Sequence, residues 1–192
     1  MDTHQSVKSD QELVQASLKN ADNFAHLIDR YEKQLFVYIK RLIKSSNQEA
    51  QDILQEVFIK IYQNLNGFDQ SLKFSSWVYR ITYNHTISYF RKNKKSLETL
   101  SLEDNETIFE KLSSDSDLVH STEQKIQKSQ IKKLLKSLDK KYRDVLILKY
   151  LEDKDYSEIA NILKKPMGTI ATLINRAKAK FKKLLIENNI TF

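Results

Sequence analysis

Cysteine is absent from the chain, and glycine and proline are rare, with two glycines and one proline in 192 residues. Without cysteine the chain cannot form disulfides or thiolate metal sites, which fits the reducing cytoplasm. Few positions break a helix, because glycine and proline are the main helix breakers. No apolar run approaches the length of a membrane span, and residues 1–20 are too polar for a signal peptide. We therefore expect a helical, cytoplasmic protein without membrane insertion.

The sequence also lacks the residue patterns of a catalytic centre. Its four histidines are scattered, without the spacing of metal ligands, and it has no glycine-rich phosphate loop. Neither a nucleophile–base pair nor a carboxylate dyad is visible. We expect no catalytic residue, no metal site, no cofactor and no enzymatic activity.

What the chain does have is an excess of positive charge. It contains 32 Lys and Arg against 25 Asp and Glu, a formal net charge of +7, which favours nucleic acid over membrane as a partner. Residues 96–123 hold eight acids and one lysine, a net charge of −7 that leaves +14 on the rest of the chain. This segment shows no sustained apolar period and is predicted to be a flexible acidic linker. Both a plain spacer and a nucleic-acid mimic fit this composition.

Residues 74–95 combine aromatic and basic side chains. The stretch holds six of the nineteen aromatic residues, including the single tryptophan Trp77, together with five Arg and Lys and no acid. Aromatic faces can stack on unpaired bases while Arg and Lys neutralise phosphates, so the stretch suits a melted or single strand. A core helix with a solvated basic tail fits equally well, and Trp77, Val78 and Ile81 have core spacing under either interpretation.

Apolar spacings of three and four residues predict helices throughout the first half of the chain. Ser9 or Asp10 is expected to cap the first helix, and Asn47 to cap the third. Asn66-Gly67 marks a turn before the aromatic stretch. Together these elements predict one helical domain over residues 9–95.

A second helical domain is predicted over residues 124–187. Asp139 and Ser157 are expected to cap two of its helices, and Pro166 to take the first position of the last helix. The apolar face of that helix holds Met167, Ile170, Ile174, Ala177, Phe181 and Leu184. Two short helices, a tight turn and seven bases without an acid between residues 164 and 183 indicate a DNA-binding helix-turn-helix. An ordinary helical hairpin with a lysine-rich face would look similar.

Four motifs in register resemble the extracytoplasmic-function (ECF) class of bacterial RNA polymerase sigma factors. They are SDQELVQASLKN, DILQEVFIKIY, FSSWVYRITYN with ISYFRKNKK, and LDKKYRDVLILKYLEDKDYSEIA with PMGTI and INRAKAKF, and they span residues 9–185. The resemblance implies an all-α fold: two small helical domains joined by the flexible acidic linker, the second containing the helix-turn-helix. It implies core RNA polymerase and promoter DNA as partners, with an anti-sigma protein as a partner of many family members.

The resemblance also implies which residues make these contacts. The first domain is similar to sigma region 2. There the resemblance assigns contact with the clamp helices of the largest polymerase subunit to Asp52, Leu54, Gln55, Glu56 and Phe58. Recognition and melting of the −10 element fall on Phe68, Asp69, Lys73, Trp77, Arg80, Asn84, Arg91 and Lys92, with the loop 66–73 receiving a flipped base. In the second domain, similar to sigma region 4, recognition of the −35 element falls on Ser157, Lys165, Thr169, Thr172, Leu173, Arg176 and Lys180.

Several of these side chains have a plainer explanation. Asp52, Gln55 and Glu56 form a stripe one turn apart, which ordinary solvation of a helix explains as well. Phe58 lies at the edge of this stripe, where both core and contact roles are open. Asn84 is equally suited to satisfying a neighbouring helix end. His85 is expected to pack against its neighbours rather than to bind a ligand.

The chain departs from the family pattern at two places. Residues 171–173 read Ala-Thr-Leu where the family often has Lys-Ser-Arg, so two groove-facing charges are absent. Lys164 stands where the turn often has glycine, and a non-glycine residue adopts a left-handed conformation only at some cost.

We therefore interpret the chain as an alternative sigma factor that binds core RNA polymerase and directs promoter-specific transcription initiation. Its rivals are a free-standing helix-turn-helix regulator and a helical adaptor that binds only protein. The DILQEVF motif and the aromatic-basic helix argue against the first rival. Nucleic-acid binding with a steep salt dependence would argue against the second.

Overall fold

The computed structural model describes residues 8–97, 130, 131 and 133–188. Within these residues the regular structure is helical and no strand occurs, which confirms the predicted all-α fold of two helical units. We call the described residues 8–97 the N-terminal unit and the described residues from 130 to 188 the C-terminal unit. The predicted linker, residues 96–123, lies outside the described residues except at residues 96 and 97, which continue the last helix of the N-terminal unit. No described helix has the length and apolar character needed to cross a membrane.

Four helices form the N-terminal unit: α1 (Asp10–Lys19), α2 (Phe24–Leu42), α3 (Asn47–Asn64) and α4 (Phe74–Leu97), with short 3₁₀ turns at Ala21–Asn23 and Leu65–Gly67. Helix α2 is central, because it packs against α1, α3 and α4. Its apolar face supplies Leu35, Tyr38 and Ile39, which are completely buried. The ring of Tyr38 lies 4.8 Å from that of Tyr79 on α4. The predicted periodicity of three and four therefore produces a single core between the four helices.

Reciprocal serine–glutamate pairs begin α1 and α3. The Ser9 hydroxyl accepts a hydrogen bond from the Glu12 backbone N–H, while the Glu12 carboxylate accepts one from the Ser9 N–H. Ser46 and Glu49 make the same pair at α3. The prediction for Ser9 is confirmed, but Asn47 is not a cap. Ser46 takes that role because a glutamate stands three residues after it, as the capping box requires.

Asp10 ties α1 to α2. Its carboxylate lies 2.6 Å from Nη1 of Arg30 and accepts a 2.5 Å hydrogen bond from the Tyr31 hydroxyl. Burial, followed by this hydrogen bond, raises the pKa of Tyr31 above its ordinary value. The first helix is thus fixed to the central helix by a polar contact at the edge of the core.

The C-terminal unit contains α5 (Lys140–Leu146), a π-helical turn (Ile147–Leu151), α6 (Tyr156–Leu163) and α7 (Met167–Glu187), preceded by helical backbone at residues 130, 131 and 133–137. Helix α5 packs against α7, where Val145, Ile170 and Ile174 are completely buried. Met167 was expected on this buried face but is 58% exposed. It is the first residue of α7, at the end of the buried face.

The starts of the C-terminal helices also differ from expectation. Asp155, not Ser157, caps α6: its carboxylate accepts from the Glu158 N–H at 2.8 Å, and Glu158 accepts from the Asp155 N–H at 3.0 Å. The helix begins one residue before Ser157, so that hydroxyl instead donates to the Asp155 carboxylate at 2.7 Å. Asp139 holds the cap position of α5 without a side-chain capping bond. Pro166 precedes α7 as its cap rather than forming its first residue.

The turn between α6 and α7 contains a strained lysine. Lys164 has φ 52°, in the left-handed region, as its position in the turn led us to expect. The next residue, Lys165, donates its backbone N–H to the Ala160 carbonyl at 3.1 Å, which closes the end of α6. The two helices are therefore joined by a tight turn that the backbone itself stabilises.

Candidate functional site

One side of α3 carries an exposed polar stripe. Asp52, Gln55 and Glu56 are exposed, whereas Leu54 and Phe58 are buried. Asp52 accepts a 3.0 Å hydrogen bond from the Gln48 amide one turn earlier. Phe58 meets Phe24 of α2 edge to face, with ring centroids 6.5 Å apart. The three polar residues are placed for contact with a partner, while Leu54 and Phe58 belong to the core that holds α3 in place.

Two apolar side chains extend this stripe. Ile59 is 55% exposed, and Tyr62 is also exposed, its ring 5.1 Å from that of Phe24. Ile59 follows Asp52 by seven residues and Gln55 by four, so the three lie on one side of the helix. Neither Ile59 nor Tyr62 was predicted as a contact from the sequence, although their spacing from Asp52 and Gln55 was a signal for it. We call Asp52, Gln55, Glu56, Ile59 and Tyr62 the α3 face.

His85 of α4 touches the α3 face. Its Nε2 atom lies 2.9 Å from a carboxylate oxygen of Glu56, although the two groups lack hydrogen-bond alignment. Burial lowers the pKa of His85 below 6.5; Glu56 opposes this shift, and the positive charges of Lys60 and Lys92 add to it. His85 packs as expected, and it also reaches one of the predicted polymerase contacts.

The loop before α4 is built on an aromatic cluster. Phe68, predicted to line a base pocket, is buried, and its ring centroid lies 5.2 Å from both Phe74 and Trp77. Asp69 is exposed, and its carboxylate accepts a 2.9 Å hydrogen bond from the Ser71 backbone N–H. The Ser71 side chain, followed by this backbone N–H, lowers the pKa of the Asp69 carboxyl group. Lys73 is also exposed. The loop thus offers polar groups to a ligand, while its aromatic ring faces inward.

The predicted −10 contacts on α4 fall into three groups. Trp77 is 7% exposed and packs with Phe68 and Phe74. Arg80, Asn84 and Arg91 are exposed or partly exposed, and their spacings of 4 and 11 residues place them in one row along the helix. Lys92 is exposed but lies seven residues after His85, near the α3 face. The row of Arg80, Asn84 and Arg91 is the part of α4 best placed to follow a nucleic-acid strand.

The outer side of α7 carries most of the predicted −35 contacts. Thr169, Thr172 and Arg176 are exposed and Leu173 is partly exposed. The Thr172 hydroxyl donates to the Gly168 carbonyl at 2.9 Å, so its hydrogen is already used within the helix. Asn175, which analysis of the sequence did not select, is exposed between Thr172 and Arg176 on the same side.

The remaining predicted contacts flank this surface. Ser157 at the start of α6 and Lys165 in the turn are both exposed. Lys180 lies towards α5, with its ammonium 5.3 Å from the centroid of the Tyr142 ring. A cation above an aromatic face is partly held in place. Lys180 is therefore suited to a fixed charge contact at the edge of the surface rather than to reading bases.

Both units match known protein families. Residues 27–96 match Sigma-70 region 2, and residues 128–181 match Sigma-70 region 4. The chain is 32% identical over 177 residues to the ECF RNA polymerase sigma factor SigW of Bacillus subtilis, covering 90% of this chain and 94% of that protein. It is 30% identical over 187 residues to the RNA polymerase sigma-H factor of Pseudomonas aeruginosa, covering 93% of this chain and 94% of that one.

A solved structure shares the fold. The structure of CnrH in complex with the cytosolic domain of CnrY superposes with a TM-score of 0.66 at 21% identity, covering 94% of this chain and 99% of that one. At this level of identity the likeness concerns the fold.

Proposed function

This chain belongs to the ECF class of RNA polymerase sigma factors, and from that premise we propose which surface performs each step of promoter recognition. As a sigma factor it binds core RNA polymerase and directs promoter-specific transcription initiation. The family is one of transcription regulators. We further propose that the chain catalyses no reaction itself and acts in the cytoplasm. Its proposed domains are residues 9–95 and 124–187, with the acidic segment 96–123 between them.

The α3 face is the proposed contact with the polymerase clamp helices. It places an exposed isoleucine among exposed acidic and amide side chains, and an apolar centre within a polar rim is the usual anatomy of a protein interface. Nothing in the N-terminal core requires Ile59 to be apolar, because more than half of its surface is exposed. This exposed apolar residue within the DILQEVF helix is the observation that carries the proposal.

Charge reversal tests this contact. Asp52→Lys with Glu56→Lys should abolish competition for core polymerase, because both side chains are exposed where the partner would lie. The free energy of unfolding should change by no more than about 0.5 kcal/mol for each exposed charge. The matched control is Asp29→Lys with Glu32→Lys on α2, where both side chains are also exposed. If the α3 variant competes as well as the control, the face is not the polymerase contact.

For the −10 element we propose that Arg80, Asn84 and Arg91 follow the unpaired strand, while Asp69 and Lys73 of the preceding loop border the flipped base. Phe68 and Trp77 act from inside the unit by holding this loop against α4, since both rings are buried. Lys92 lies apart from the row and supplies a phosphate contact.

For the −35 element we propose that the outer side of α7 enters the major groove. Thr172 and Leu173 contact base edges, and the Leu173 side chain suits a thymine methyl. Ser157, Lys165, Thr169, Arg176 and Lys180 contact phosphates around this helix. Arg176→Ala should weaken binding to all promoters and lower the salt slope by about one, whereas Leu173→Ala should change the preference among −35 sequences. The reverse pattern would mean that the base-reading and phosphate-binding positions are interchanged.

Opening of the promoter should require polymerase. Melting DNA costs on the order of 1–2 kcal/mol per base-pair step, and we assign the supply of this free energy to the DNA contacts of core polymerase. Permanganate footprinting on a cognate promoter should therefore show reactive −10 thymines only with both this chain and core polymerase. Opening by the isolated chain would refute this division of labour. Tight, specific binding to duplex DNA without polymerase would instead indicate a free-standing regulator.

An anti-sigma protein is a further proposed partner. The support is family membership, together with the structural neighbour CnrH, whose structure holds the cytosolic domain of CnrY.

A further inference from the structure

The contact between His85 and Glu56 joins two helices that serve different partners. Glu56 lies on α3, in the proposed polymerase contact, and its side chain is 53% exposed. His85 lies on α4, the helix of the proposed −10 contacts, and its side chain is only 13% exposed. The imidazole is therefore fixed by its surroundings, while the carboxylate that it meets at 2.9 Å reaches into solvent.

A largely buried imidazole in contact with an exposed carboxylate limits the rotamers that the carboxylate side chain can adopt. A free glutamate side chain samples many rotamers, and ordering it on binding opposes association. In the described part of the chain, Nε2 of His85 is buried and has no aligned hydrogen-bond partner. A small rotation of the Glu56 side chain would align the two groups, because their atoms are already 2.9 Å apart.

The burial and charges around His85 favour a neutral imidazole at neutral pH, so the charge of Glu56 stays available to a partner. Burial, together with Lys60 and Lys92, lowers the pKa of His85 below 6.5, and Glu56 only partly opposes them. A neutral imidazole can donate its N–H to the carboxylate and leave the negative charge of Glu56 intact for a basic partner.

We propose that His85 is a positioning residue for polymerase binding: its imidazole holds the Glu56 carboxylate in the orientation that the polymerase contact requires. This inference rests on the proposed role of the α3 face. A side chain of the DNA-facing helix thereby contributes to binding of polymerase without touching it.

A matched pair of substitutions separates this role from packing. His85→Gln keeps an N–H donor, whereas His85→Met has a similar length and shape and no donor. In an equilibrium competition assay for core polymerase, using the fluorescently labelled wild-type chain, His85→Met should weaken binding by about three- to tenfold. His85→Gln should stay within about twofold of the wild type. Equal binding by the two variants would overturn the proposal.

A double-mutant cycle tests the dependence on Glu56. In the Glu56→Ala background, His85→Met should have no further effect on polymerase affinity, because no carboxylate remains to be positioned. An equal loss in both backgrounds would show that His85 acts through packing of α4 alone, and the proposal would fail. If Glu56→Ala itself leaves affinity unchanged, the proposed polymerase contact of Glu56 fails, and this inference fails with it.

A measurement on the free chain requires no change at residue 85. The imidazole pKa, followed by NMR titration, should fall in Glu56→Gln, because the nearby negative charge that raises it is removed. The control is Asp52→Gln, which removes a charge from the same side of α3 without removing the His85 contact. An unchanged His85 pKa in Glu56→Gln would refute the contact in solution.

Discussion

Replacement of Trp77 by alanine should destabilise the N-terminal unit rather than selectively remove a DNA contact. The Trp77 ring is 7% exposed and lies 5.2 Å from Phe68 and 5.6 Å from Phe74. Truncation of a buried tryptophan or phenylalanine typically costs about 3–5 kcal/mol. A small domain has only about 5–15 kcal/mol of stability in total. The change therefore removes a large share of what holds this unit together.

Urea unfolding followed by far-UV circular dichroism measures this loss. Dichroism is needed because Trp77 is the single tryptophan, so the variant has no tryptophan fluorescence. Thermal unfolding followed by the same signal gives the melting temperature. At about 4–8 °C per kcal/mol for a unit of this size, it should fall by at least about 12 °C. Trp77→Phe, which keeps an aromatic ring, should show a smaller loss. Arg80→Ala, at a partly exposed position, should change stability little.

Promoter opening then separates the two roles. Below the melting temperature of the Trp77→Ala variant, Arg80→Ala should abolish permanganate-reactive −10 thymines with core polymerase, whereas Trp77→Phe should retain them. A Trp77→Ala variant that kept the wild-type melting temperature and yet lost thymine reactivity would refute a purely structural role for Trp77. That result would mean that the indole stacks on a base instead of supporting the loop.

Four further predictions concern single residues. Lys164→Gly should stabilise the C-terminal unit by about 0.5–1 kcal/mol in urea unfolding, because glycine adopts the left-handed backbone at φ 52° without strain, whereas Lys164→Ala should give no gain. Ile59→Asp should weaken polymerase binding in the competition assay at an unchanged melting temperature, since the side chain is exposed; normal binding would remove Ile59 from the interface. Stability measured against pH should fall as pH drops below about 6.5, because the lowered pKa of His85 lets the unfolded chain bind more protons. At the alkaline end, stability should fall as pH rises above about 10, because the raised pKa of Tyr31 keeps its proton on the folded chain, and Tyr31→Phe should remove this slope.

Helix boundaries and buried faces were largely predictable, because apolar residues repeat at the period of the helix. The face of α2 from Phe24 to Leu42 is buried as its spacing indicates. Caps were less predictable, since several polar residues stood near each helix start. At α3 the choice between Ser46 and Asn47 depended on Glu49 completing a reciprocal pair. At α6 the same motif selects Asp155 with Glu158 over Ser157. The signal was present in both places, three residues after the cap.

The aromatic composition of residues 74–95 did not predict which rings pack in the core and which are available to DNA. A stretch rich in aromatic and basic residues suits both stacking on bases and packing in a core, and spacing alone does not separate these roles. Phe68, Phe74 and Trp77 pack against one another in edge-to-face and tilted arrangements, so their rings contact the protein itself. Of the charged residues of the same stretch, Arg91 and Lys92 are exposed and Arg80 is partly exposed, which fits the hydration of charged groups. Position in the folded unit, not composition, decides which member of such a stretch can meet DNA.

The periodicity of apolar residues does not predict which residues of two different helices touch each other. The spacing of α3 predicted that Glu56 faces outward, and His85 was expected to pack against its neighbours, yet neither expectation relates the two residues. They lie 29 positions apart in the chain, and their atoms meet at 2.9 Å only because α3 packs against α4. A residue with no motif of its own thereby comes to touch a motif residue. If the double-mutant cycle shows coupling, motif matching will have identified the glutamate that binds polymerase and missed the histidine that orients it.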